Sequence, residues 1–162
     1  MHPLPSTAQA SSDERVLAAL GHVTILFLGF GVFGPALLWT TQRKKSSFVA
    51  FHALQALAYQ LLVVVFGTLW TCGITVLIIV LSTGMVAFAN VEEANPGVIF
   101  LLQFVLIGLF LGFYALYMGG GFWGAILTLA GRDFRYPLLG RWIENYLRAD
   151  PAVEAVPPQG AS

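Results

Sequence analysis

The sequence predicts an all-α polytopic membrane protein with three transmembrane helices and a C-terminal interfacial amphipathic helix. Of its 162 residues, 57% are hydrophobic and 10% are charged, whereas an average soluble domain has about 25% charged residues. Three long stretches contain no Asp, Glu, Lys or Arg, and they lie between residues 15 and 43, 45 and 92, and 93 and 132. Each is long enough to cross a hydrocarbon core about 30 Å thick, which takes about 20 helical residues.

The first predicted helix covers residues 12–40. Ser11 and Glu14 have the spacing of a capping box, in which a hydroxyl and a carboxylate satisfy the first free donors of a helix. Pro35 lacks a backbone donor and follows several glycines, so we expect a kink near Gly31. The polar turn that follows, residues 42–47, is too charged to lie in hydrocarbon.

The second predicted helix covers residues 48–89 and would be about 63 Å long, about twice the bilayer core. Two layouts are open: a hairpin that turns between Gly67 and Gly73, or one long helix whose first three turns lie at the membrane interface. His52, Gln55 and Tyr59 share one face of those first turns, which makes them amphipathic. This pattern favours the single helix.

The third predicted helix covers residues 98–130, after an acidic turn that contains Glu92 and Glu93. Small residues four apart allow close helix packing, and four glycines in this helix have that spacing: Gly108, Gly112, Gly120 and Gly124.

Apolar and aromatic residues recur at helical spacing over residues 138–148, which predicts a helix lying in the membrane interface. Residues 1–11 and 149–162 are rich in Pro, Ser and Ala, so we expect flexible tails on either side of one transmembrane domain, residues 12–148.

Charge placement predicts the orientation. The basic turn at residues 43–45 and the C-terminal arginines should be cytoplasmic, and the acidic turn should lie outside. Three spans satisfy this pattern and four do not, so we expect a bacterial inner-membrane protein with its N-terminus outside and its C-terminus in the cytoplasm. Net charge is zero, which argues against nucleic-acid binding.

No combination of residues predicts catalysis, a metal site or a cofactor. His22 and His52 should lie near opposite ends of their helices, about 25 Å apart in depth, which argues against a shared haem or metal ion. Cys72 has no second cysteine to pair with. The intramembrane amides of Gln55, Gln60 and Gln103 are typical interhelical hydrogen-bond partners.

A polar cluster is predicted at the inner face, where the start of the second helix meets the end of the third. Such a cluster would bind lipid head groups, hold a partner's acidic segment or line a pathway. Alternatively, it would only anchor the helix ends. Its members are His52, Gln55, Tyr59, Arg132, Asp133, Arg135 and Tyr136.

Phe51, His52, Gln55 and Ala56 form a Phe-His-x-x-Gln-Ala motif, and Tyr136 and Pro137 follow at the end of the third helix. With these motifs, residues 13–143 resemble an uncharacterised bacterial membrane family described as similar to the Tic-twenty component of the chloroplast inner-envelope import machinery. The resemblance implies a polypeptide-conducting role. Because three spans are too few to enclose a pore alone, such a role would require oligomers or partners.

The leading functional prediction is therefore a non-catalytic membrane protein that acts through helix packing with partner proteins, or with copies of itself, in transport or complex assembly. The alternative is an accessory subunit of a large energy-converting membrane complex, respiratory or photosynthetic. Membrane lipid is a partner in both.

Overall fold

The structure is a computed structural model that describes residues 10–88, 96–132 and 134–149. These residues form α-helices and one 3₁₀ segment, and they contain no strand, so the predicted all-α class is confirmed. The elements are α1 (Ser12–Val23), a 3₁₀ segment (Thr24–Val32), α2 (Phe33–Gln42), α3 (Ser47–Phe88), α4 (Pro96–Leu129) and α5 (Leu139–Ala149). Residues 1–9 and 150–162, most of the predicted tails, lie outside the described residues, as does the acidic turn.

The contacts divide the chain into two compact units. Unit 1 contains residues 1–62 and 118–162, and unit 2 contains residues 63–117. The long helices α3 and α4 each contribute residues to both units.

The start of α1 confirms the predicted capping box. The Ser11 hydroxyl accepts a hydrogen bond from the Glu14 amide (3.3 Å), and the Glu14 carboxylate accepts one from the Ser11 amide (2.9 Å). Two early donors are thereby satisfied reciprocally, so the helix begins at Ser12.

The expectation of one kinked helix over residues 12–40 is wrong. The chain leaves α1 at Thr24, passes through the 3₁₀ segment and returns along α1 as α2. A Cβ on Gly31 would collide with the Thr24 carbonyl, and one on Gly34 would collide with the Thr24 side chain. The glycines therefore permit a full reversal where the sequence predicted only a kink.

The two ends of this α1–α2 hairpin meet. The Ser46 hydroxyl, in the turn after α2, donates to the carboxylate of Glu14 at the start of α1. The guanidinium of Arg15 lies beside Gly131, directly after α4. At about 18 Å and 15 Å, α1 and α2 are each too short to cross a bilayer, so this segment does not carry the chain from one end of unit 1 to the other.

Two helices are long and apolar enough to span a membrane, over Ser47–Gly84 and Pro96–Leu129. The third predicted span is not confirmed. The single-helix layout is observed for the second, because α3 continues without a break through Gly67 and Gly73. In unit 2, Gly67 lies against Phe113 and Trp70 stacks on that ring, with centroids 6.2 Å apart.

Helix α5 has two apolar faces. Ile143 and Leu147 are buried against Phe51 near the start of α3. Trp142 and Tyr146 stack on each other on the other side and are exposed. The predicted interfacial helix therefore turns only half of its apolar side chains outward, because the other half packs on α3.

Candidate functional site

The core of unit 1 contains several fully buried polar side chains. Five polar side chains are 0–1% exposed: His22, His52, Gln55, Gln60 and Thr128. Outside this core the helices present large apolar side chains, such as Phe30 at 78% and Phe104 at 76% exposure. A polar inside and an apolar outside suit a chain surrounded by hydrocarbon.

The predicted face of α3 turns inward. His52 and Gln55 are fully buried and Tyr59 is half-buried, so these turns do not form the water-facing side of an interfacial helix. The rings of Phe48 and Phe51 lie 4.5 Å and 5.3 Å from the His52 ring.

The segment between α4 and α5 closes over this face of α3. The Gln55 side-chain amide donates to the backbone carbonyl of Phe134 (3.2 Å), which satisfies a loop carbonyl inside the core. The ring of Tyr136 stacks on that of Tyr59. The structure thus brings together His52, Gln55, Tyr59 and Tyr136, four of the seven members of the predicted cluster.

His22 joins the same cluster, which corrects the prediction for this residue. Its ring centroid lies 5.9 Å from that of His52 and 5.9 Å from that of Tyr136. The depth separation of about 25 Å assumed a straight helix rising at 1.5 Å per residue. Because the chain reverses after Val23, His22 lies at the level of His52 instead.

Gln60 links the α1–α2 hairpin to α3. Its side-chain nitrogen donates to the Gly21 carbonyl and to the Thr24 hydroxyl, each at 3.2 Å. Gln60 therefore makes the interhelical hydrogen bond that its type predicted, whereas Gln55 bonds to the loop between α4 and α5. The sequence indicated that the two glutamines would form hydrogen bonds inside the protein. It did not indicate that their partners would be Gly21, Thr24 and Phe134.

Of the charged members of the predicted cluster, Arg135 lies at its edge. Arg135 pairs with Glu144 of α5 (2.5 Å), and its guanidinium lies 5.5 Å from the centre of the Phe51 ring. Arg132 is exposed. Asp133 lies outside the described residues.

The four predicted packing glycines divide into two pairs. A Cβ on Gly120 would collide with the Tyr59 hydroxyl, and one on Gly124 would lie 2.8 Å from the Phe134 ring and 3.1 Å from Nδ1 of His22. A Cβ on Gly108 or Gly112 would meet nothing within 4 Å. Gly120 and Gly124 thus allow the polar core to close, while Gly108 and Gly112 face no other described part of the chain.

The Tyr136 hydroxyl lies between α4 and His22. It donates to the Gly120 carbonyl (3.3 Å) and lies 3.5 Å from Nδ1 of His22. These two contacts are compatible with the His22 tautomer that carries its hydrogen on Nδ1 and its lone pair on Nε2.

Several buried atoms of this core have no hydrogen-bond partner among the described residues. They are Nε2 of His22, both ring nitrogens of His52, Oε1 of Gln55 and Oε1 of Gln60. Because an unsatisfied buried polar group costs about 1–3 kcal/mol, so many in one core call for an explanation such as ordered water or an ion. No group of three or more His, Cys, Asp and Glu residues suited to a metal occurs in the part of the chain that the structure describes.

A family profile described as the magnetosome magnetite crystal formation protein family, MamF/MmsF, matches residues 13–143. The chain belongs to this family. The match includes all five buried polar residues of unit 1 and also Tyr59 and Tyr136. No curated protein and no solved structure matches the chain.

Membership of the MamF/MmsF family agrees with the two long apolar helices: the chain is a membrane protein of a family involved in crystal formation. It replaces the uncharacterised family named from the sequence, whereas the likeness to the Tic-twenty component stays a prediction that the comparisons do not test.

Proposed function

We propose that this chain is a non-catalytic component of the magnetosome membrane that acts in magnetite crystal formation by packing against partner membrane proteins or further copies of itself. The observation that carries the proposal is the inverted polarity of unit 1, whose amides and imidazoles are buried while large apolar side chains face outward. The chain uses its polar groups to hold itself together and offers an apolar exterior to lipid and to other helices.

The outward faces available for such packing are extensive. None of the residues in the most apolar part of the α3 span is buried. In the most apolar part of the α4 span, 6% of the residues are buried. Gly108 and Gly112 lie on α4 with open space above them. A neighbouring helix could approach closely there, since packing in a membrane depends on small residues at the contact.

The proposed topology has two spans, with both ends of the chain on the cytoplasmic side. The contacts of Glu14 with Ser46 and of Arg15 with Gly131 place the start of α1, the basic turn and the end of α4 at one end of unit 1. All 8 Lys and Arg residues fall within this unit. The positive-inside rule then assigns that end to the cytoplasm, which replaces the N-outside orientation expected from three spans.

Complementation tests the proposed function. In a magnetite-forming bacterium from which the native gene has been deleted, we expect the wild-type chain to restore crystal size and to migrate in mild detergent as a discrete complex. Gly108→Leu with Gly112→Leu should disrupt the complex and the crystals together. Gly73→Leu is the control, because this glycine of α3 also has open space above it but has leucines, and not small residues, four positions away on either side.

Normal crystals in the deletion strain, or a monomer that restores crystal size fully, would contradict the proposal. Co-migration with a respiratory or photosynthetic complex would instead favour the accessory-subunit alternative.

A further inference from the structure

The buried imidazoles of His22 and His52 form a pair with unused lone pairs. The ring centroids are 5.9 Å apart and the ring planes meet at 71°. A metal ion bound by two imidazoles at about 2.1 Å per bond holds the ring centres about 5 to 6.5 Å apart. The observed spacing lies within that interval, although the two rings make no hydrogen bond to each other.

The surroundings of His22 resemble the support of a metal ligand. A metal-binding histidine almost always uses its second ring nitrogen to donate to a neighbouring group, which fixes the tautomer and the ring orientation. Here Nδ1 lies 3.5 Å from the Tyr136 hydroxyl, which donates to the Gly120 carbonyl. With the hydrogen of the imidazole on Nδ1, the lone pair is on Nε2, which is buried and has no hydrogen-bond partner in the described parts of the chain.

His52 supplies the second donor atom. It is fully buried among aromatic rings, and neither of its nitrogens has a hydrogen-bond partner among the described residues. Gln55 lies one turn further along α3, where its side-chain nitrogen is held by the Phe134 carbonyl and its Oε1 lies beside Gly140 of α5. The two imidazoles are neutral ligands.

We propose that His22 and His52 bind one divalent transition-metal ion in the core of unit 1. Imidazole ligands suit iron, zinc, nickel and copper, whereas magnesium and calcium prefer carboxylate and carbonyl oxygens. The family's connection with magnetite makes ferrous iron the ion to test first. The inference does not depend on whether the chain acts by packing against partners.

Direct binding to purified protein tests the site. The full chain is purified in detergent with an affinity tag that contains no histidine. It is then incubated anaerobically with Fe²⁺, or with Co²⁺ as a coloured substitute. We expect one ion per chain and a Co²⁺ visible absorption band typical of nitrogen ligands. His22→Asn and His52→Asn should each abolish the band and the bound ion. His2→Asn is the matched control, since it removes the third histidine of the chain and should change neither.

Two further measurements separate metal binding from folding. Tyr136→Phe keeps the ring and removes the acceptor for Nδ1, so it should weaken binding about 10- to 100-fold without abolishing the band. A ligand that binds only the folded state raises the melting temperature, so Co²⁺ should raise that of the wild type and not that of His22→Asn. The double variant Glu92→Gln with Glu93→Gln removes the carboxylates of the acidic turn, which could also bind a cation, and should retain the Co²⁺ band.

A wild-type chain that binds no Co²⁺ or Fe²⁺ overturns the proposal whatever the variants do. So does binding that survives in folded His22→Asn and His52→Asn, or binding lost in the variant of the acidic turn alone.

Discussion

The phenol rings of Tyr59 and Tyr136 lie face to face, with centroids 4.3 Å apart and planes 8° from parallel. Tyr59 belongs to α3, whereas Tyr136 belongs to the segment between α4 and α5. The Tyr136 hydroxyl also reaches the carbonyl of Gly120 on α4. One side chain therefore connects two helices and the loop that closes over the histidine pair.

A double-mutant cycle should reveal this stacking. Tyr59→Leu and Tyr136→Leu should each lower the free energy of unfolding in detergent, and the double variant should lose less than the sum by about 0.5–1.5 kcal/mol, since an aromatic pair contributes beyond its buried area. Tyr146 provides the control, because it stacks on Trp142 instead and its Leu variant should be additive with Tyr136→Leu. Additivity of the first pair would mean that the stack contributes nothing.

The glycines of α4 should differ in their tolerance of a methyl group. Gly124→Ala places a Cβ 2.8 Å from the Phe134 ring, and such overpacking costs about 1–3 kcal/mol. Gly112→Ala meets nothing and should leave the unfolding free energy of the monomer unchanged or slightly higher, because alanine favours a helix. Thermal unfolding of both variants in the same detergent compares them. Equal losses would contradict the placement of these residues.

Cysteine labelling tests the two-span topology. In a Cys72→Ser background, single cysteines at Ser12 and Lys44 should react with an impermeant thiol reagent from the same membrane face, because the start of α1 contacts the turn after α2. A cysteine at Glu93 should react only from the opposite face. Reaction of Ser12→Cys and Lys44→Cys from opposite faces would restore the three-span arrangement.

The two faces of α5 should respond differently to truncation. Ile143 is 0% exposed against α3, and Ile→Ala at such a site costs about 2–5 kcal/mol. Trp142 is 64% exposed, so Trp142→Ala should change the unfolding free energy by less than about 1 kcal/mol while weakening association with lipid vesicles. Chemical denaturation and vesicle flotation measure the two effects. A larger loss of stability for Trp142→Ala than for Ile143→Ala would show that the faces are exchanged.

The existence of the long helices followed from local patterns. Unbroken apolar stretches and the Ser11–Glu14 cap are properties of neighbouring residues, so α3, α4 and the start of α1 could be predicted. The reversal after Val23 could not, because it depends on Gly31 and Gly34 packing against Thr24, which lies 7 and 10 residues earlier and so beyond the next turn of a helix. A kink and a complete turn have the same glycine and proline signature.

The same reversal explains what was missed at the site. His22 was excluded from a pair with His52 by counting helical rise, and that count fails once the helix ends at Val23. The face of α3 that carries Gln55 and Tyr59 was predicted from spacing alone. Its burial was not, since burial requires the segment of residues 134–136 to return over it.

The hairpin of α1 and α2 also bears on how the protein is made. The hairpin begins and ends at one end of unit 1. In the proposed topology, the insertion machinery therefore has to move only the short stretch between α3 and α4 across the bilayer. That stretch includes Glu92 and Glu93, the only charges between Lys45 and Arg132. Biosynthesis then reduces to inserting a single helical pair, with every basic residue staying on the side where the ribosome delivers it.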